Sequence, residues 1–172
     1  WFILYILSEL IIFISLFLAK YITLSSKINY GLIFIDYYSL PLLNALILIS
    51  SGCLMNETYN SNKSKLIYKS HIENNKEIIL LLIIIFMSIQ YFEFCSNINS
   101  LSDGIVSDLF YSITSLHFIH MLGGTLFILW NIFSDLLINS NLKNISIITT
   151  AMNLHFLDIM YLFILLFIYQ LN

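Results

Sequence analysis

Five apolar runs, each long enough to cross a lipid bilayer, decide what this chain can fold into. A hydrocarbon core about 30 Å thick takes roughly 20 residues of helix, and the polar breaks leave runs at 2–18, 32–55, 78–94, 105–137 and 145–171. Lipid offers backbone N–H and C=O groups no partners, so spanning segments must be helices or closed barrels; no alternating ten-residue pattern points to a barrel. Composition agrees. Of 172 residues, 59% are hydrophobic and 10% charged, against roughly a quarter charged in a soluble domain. The expected fold is therefore all-α, an integral membrane bundle of about five transmembrane helices in a single domain over 1–172. Its helices are expected at approximately 2–20, 40–56, 77–95, 104–138 and 145–171. Asp36, Tyr37, Tyr38, Ser39 and Pro41 interrupt the second run, so its spanning part is expected to begin at Pro41, a residue suited to a first helical turn. The piece before it is expected at the interface.

The seven basic residues are all lysines. Lys63, Lys65, Lys69, Lys76 and Lys143 fall between helices on one side, Lys20 and Lys27 on the other. The positive-inside bias then places the N-terminus on the matrix-like side and the C-terminus opposite. The absence of Arg and the wealth of Ile, Phe, Tyr and Asn fit an A+T-rich organelle genome. The opening apolar run is too long for a signal-peptide core, and no cleavage site follows it. A net charge of −3 without a basic stripe gives nucleic-acid binding no support. Cys53 and Cys95 have no CxxC or Cys/His spacing and read as small buried hydrophobes. Residues 56–75, rich in Asn, Ser and Lys, read as a solvated loop or one held against a neighbouring subunit.

Within lipid, an ionisable side chain costs at least roughly 2.5 kcal/mol when charged, so each is a functional candidate. Glu9 lies near the middle of the first run and is expected either to be neutral or to face a polar neighbour. Its bland reading is a hydrogen-bonded group in a helix interface; its sharper one is a proton-accessible group beside a proton-pumping partner. Glu93 closes the third helix three residues after Gln90, and Asp103 is placed to cap the fourth. His117 and His120, and likewise His155 and Asp158, share a helix face at a spacing of three. Such pairs recur in metal sites of helical bundles, but the Glu-x-x-His set of di-iron bundles is missing. Polar packing between helices is the better reading of Glu93, His117, His120, His155 and Asp158. Gly123 and Gly124 would admit a close neighbouring backbone. No nucleophile elbow or phosphate loop suggests independent catalysis.

These same residues carry a resemblance to the cytochrome c oxidase subunit III family. Phe2-Ile3-Leu4-Tyr5-Ile6-Leu7-Ser8-Glu9 is similar to its Ser-Glu helix. Leu40-Pro41-Leu42-Leu43-Asn44, then Ser50-Ser51-Gly52, resembles its Pro-Leu-Leu-Asn segment and Ser-Gly ending. Gln90-Tyr91-Phe92-Glu93, Ser102-Asp103-Gly104, His117-Phe118-Ile119-His120 with Gly124-Thr125, and His155-Phe156-Leu157-Asp158 follow in the family's order. The resemblance covers the last five of the family's seven helices, as in a shortened or split form. The paired histidines after the Ser-Gly segment, near Asn56 and Glu57, are missing, as are the second Glu after Gln-x-x-Glu and most aromatics before the last His.

The resemblance implies a non-catalytic core subunit of respiratory complex IV in the mitochondrial inner membrane. It would bind no metal itself, haem a and copper belonging to partner subunits. It would pack against subunit I, with subunit II, accessory subunits and phospholipids as neighbours. The two missing helices would come from a separate polypeptide or be dispensed with. Its role would be to support electron transfer to oxygen and coupled proton pumping through structure, lipid and the proton-entry side, with Glu9 the candidate for proton or polar coupling. The rival readings are an intramembrane His-ligated metal or haem protein, which a metal analysis and optical spectrum would reveal, and a small transporter or another respiratory-complex subunit. Absence of an internal repeat counts against the transporter.

Overall fold

The structure is a computed structural model that describes residues 1–25, 40–63, 69–96, 105–137 and 140–170. It consists of α1 (Phe2–Ser25), α2 (Leu40–Lys63), α3 (Lys69–Ser96), α4 (Ile105–Leu137) and α5 (Ser140–Ile164), the last continuing into a π-helical segment, Leu165–Gln170. All five are long and apolar enough to cross a membrane. Among the described residues there is no strand. Pro41 sits in the first turn of α2, where its missing N–H leaves no helical bond unmade.

The hydrophilic stretch 56–75 is largely helical rather than a long loop. α2 runs on to Lys63 and α3 already begins at Lys69. Once a helix exists, adding a residue fixes one backbone and gains one hydrogen bond. Polar side chains beyond the hydrocarbon therefore do not stop it.

Helices α2 to α5 close a ring in which α2 packs on α3 and α5, and α4 on α3 and α5, while α1 lies outside against α4 and α5. Two apolar clusters follow from this layout. Leu48, Ile79, Ile83, Phe86, Met121, Leu154 and Leu157 fill the ring. Phe13 and Phe17 bind α1 to Phe110, Ile113, Met160 and Ile164, with Phe13 meeting Phe156 edge-on at 6.5 Å between centroids.

Apolarity does not distinguish inside from outside here. Ile3, Leu4, Ile11, Leu126 and Trp130 are exposed on the outer surface, whereas Asn44, Ser51, Gln90, Glu93, His117, Asn131 and Asp158 are buried. Lipid solvates the former as well as a core would, and the latter find partners only inside. Hydroxyls that remain on the outside bond backward along their own helix: Ser8 to the Tyr5 carbonyl at 2.7 Å, Ser15 to Ile12 at 2.7 Å and Ser88 to Ile84 at 2.8 Å. Cys53 and Cys95, read above as buried, are both exposed on the bundle, where lipid suits a weakly polar thiol as well as a core does.

Asn131 clasps α4 to α5. Its amide donates to the Thr150 hydroxyl and to the carbonyls of Phe127 at 3.1 Å and Ser146 at 3.4 Å. Interhelical hydrogen bonds in membranes are worth about 1 kcal/mol. Asn131→Leu is expected to weaken the bundle by about that much in a reversible unfolding titration. No loss at all would show that the clasp only replaces bonds made within each helix.

Candidate functional site

Glu9 and His120 meet across the α1/α4 interface, with Glu9 Oε2 2.5 Å from His120 Nε2. The chain separates them by 111 positions. The other ring nitrogen, Nδ1, is 2.7 Å from the Leu116 carbonyl. A carbonyl only accepts, so Nδ1 carries a hydrogen. The Nε2···Oε2 contact then holds one proton, on either the imidazole or the carboxyl, and the pair is neutral overall in both forms. Neutrality relieves the penalty that lipid imposes on a lone charge. Both side chains keep some exposure, 13% for His120 and 16% for Glu9. The ring of Phe13 covers His120 at 5.5 Å.

His117, one turn away, faces elsewhere. Wholly inside the ring, it donates from Nε2 to the Leu157 carbonyl of α5 at 3.2 Å. Its ring lies 5.9 Å from Phe86 and 5.4 Å from Tyr161. The shared face of His117 and His120 thus serves two interfaces, because α4 is wedged between α1 on one side and α3 and α5 on the other. Glu93 is buried and accepts from the Gln90 amide at 3.1 Å.

Asp158 and His155 are 3.8 Å apart, Oδ2 to Nδ1, with His155 half-exposed on α5. Their approach to α2 depends on Gly52, where a Cβ would run into the Asp158 carboxylate. Gly124 admits α5 more gently, since a Cβ there would lie 3.2 Å from a Leu157 methyl, and Gly123 faces open space. Asp103, the expected cap of α4, lies outside the described residues.

Sequence reasoning missed the Asn131–Thr150 clasp, Tyr161 and the demands on Gly52. It also counted Lys20 and Lys76 only for the side of the membrane on which they fall, yet both are buried near the ends of α1 and α3. Polar residues embedded in apolar runs were the available signal for Asn131 and Lys20. Among the described residues, no three His, Cys, Asp or Glu side chains gather into one ligand sphere. His117, His120 and His155 instead make separate contacts.

Fold and site together define a polytopic membrane bundle in which Glu9, His117 and His120 meet partners across helix interfaces. A family profile described as cytochrome c oxidase subunit III matches residues 1–172, and the chain belongs to that family. Relatives named cytochrome c oxidase subunit 3 include those of Schizophyllum commune, 33% identical, and Wickerhamomyces canadensis, 32% identical, each alignment covering 98% of this chain and 65% of the relative. That of the tick Rhipicephalus sanguineus is 32% identical over 97% of this chain and 68% of its own length. The chain thus spans about two thirds of the length of the curated relatives it matches.

Proposed function

We propose that this chain is a non-catalytic core subunit of cytochrome c oxidase in the mitochondrial inner membrane, encoded in the organelle, with its N-terminus on the matrix side. It supports subunit I in the reduction of oxygen and in coupled proton pumping, by packing, by holding lipid and by shaping the side where protons enter. Family membership supports the assembly. The Glu9–His120 contact carries the mechanistic part, since it joins two helices through one proton at a cost that pure packing would not require. Glu93, His117, His155 and Asp158 serve as interhelical polar packing, and Asp103 as the cap of α4. Subunits I and II, accessory subunits and phospholipids are the neighbours, and the haem a and copper are theirs to hold.

Native purification of the complex containing this chain, with a reduced-minus-oxidised spectrum and mass identification of its partners, tests the assembly. Haem a absorption with subunits I and II present is the expected result; a complex without haem a overturns the reading. Glu9→Gln tests the coupling role. A neutral amide can still meet His120 but carries no acidic proton. Early oxygen reduction should persist, while proton uptake per electron or the number of turnovers before inactivation falls. If neither changes, Glu9 is a packing group.

A further inference from the structure

Near one end of the ring, α2, α3 and α5 enclose polar groups that outnumber their protein partners. Asn44 is 0% exposed. It lies against the Tyr161 hydroxyl, but that hydroxyl donates to the Pro41 carbonyl at 3.3 Å, and neither amide atom of Asn44 completes a hydrogen bond with the protein. Gln90, 2% exposed, spends its amide on Glu93 at 3.1 Å and leaves Oε1 without a protein donor. Phe86, one turn before Gln90 on α3, sets its ring 5.2 Å from that of Tyr161, which brings the Gln90–Glu93 turn of α3 toward Tyr161 and Asn44. Buried polar groups are satisfied in more than nine cases in ten, and when side chains fall short the usual partner is an internal water making about three hydrogen bonds.

We propose that Asn44, Gln90, Glu93 and Tyr161 form an internal hydration site within the membrane-spanning bundle. The site offers the N–H donors of Asn44 Nδ2 and two free acceptors, Asn44 Oδ1 and Gln90 Oε1, a set that complements a molecule able both to donate and to accept. Water does this; a metal cation accepts nothing from the Asn44 amide and would leave it unmet. The site differs from the Glu9–His120 contact, which is complete in itself and lies on the α1 side of α4.

Water-edited solid-state NMR of the natively purified complex tests the proposal, with Asn131 as the internal control because its amide nitrogen already donates to protein groups. Magnetisation from water should reach the side-chain amides of Asn44 and Gln90 several-fold faster than that of Asn131. In Asn44→Leu, transfer to Gln90 should drop toward the Asn131 rate. Equal rates at all three residues in the unaltered complex would overturn the site. High-resolution density gives a second reading. A peak about 2.8 Å from both Asn44 and Gln90 is water. A peak held by several oxygens at about 2.4 Å is a hard cation, and direct contact of the two amides leaves no room for either; both results reject hydration.

Discussion

Replacing Gly52 by valine is expected to be among the most damaging single changes in this chain. A Cβ at that position enters the space of the Asp158 carboxylate, and both residues are buried where α2 meets α5. Relief requires either separating α2 from α5 or turning the Asp158 carboxyl away from its place beside His155. The cost should reach about 3 kcal/mol, the upper end for overpacking a close-packed interior. Unfolding of the purified complex by detergent titration, and its abundance in membranes, would both register the loss. The glycines of α4 supply the comparison. Gly124→Ala presses only on a Leu157 methyl and should cost less than about 1 kcal/mol. Gly123→Ala meets nothing and should be neutral or slightly favourable, alanine being the better helix former by about 1 kcal/mol. If all three behave alike, helix propensity rather than close approach governs these positions.

The second large effect is expected at Phe86, which is 0% exposed. Its ring stands nearly perpendicular to Tyr161 at 5.2 Å and to His117 at 5.9 Å. It therefore packs directly on two of the polar side chains inside the ring. Phe→Ala in water-soluble cores costs about 3–5 kcal/mol, part of it transfer from water. For a membrane bundle, the reference environment is itself apolar, so the transfer part shrinks and lost packing remains. Phe86→Ala should accordingly fall near the lower figure, about 3 kcal/mol, and Phe86→Leu should recover much of it. A loss below about 1 kcal/mol would mean that the surrounding helices collapse onto the gap.

The five spans were legible because lipid imposes one rule on every residue of a crossing segment, and runs of twenty apolar residues hardly arise for other reasons. Helix ends were less legible. At 56–63 and 69–75 the residues are polar, yet the backbone continues helical because hydropathy marks where lipid stops and not where hydrogen bonding stops. Which face of each helix turns inward was hidden for a related reason: Ile11 outside and Ile79 inside are equally content. Polar residues alone break that symmetry. They identified Glu9, His117, His120 and Asp158 as interior candidates, but not their pairings. Periodicity joined His117 to His120, whereas the structure gives His120 to Glu9 and His117 to α5. Such pairings depend on the depth and rotation of helices far apart in the chain. The need for glycine at 52 was equally out of reach, since it is set by a carboxylate more than a hundred positions away.

That separation has a consequence in time. Glu9 lies on α1, and His120 follows 111 positions later on α4. At about 5–20 residues per second, the carboxyl waits roughly 5–20 s before its imidazole has been made. Throughout that interval α1 must be sheltered by the insertion machinery, by water at the membrane edge or by a neighbouring subunit already in place. Completion of α4 supplies the partner, so the outlying helix can settle against the ring through this contact only after α4 has been synthesised.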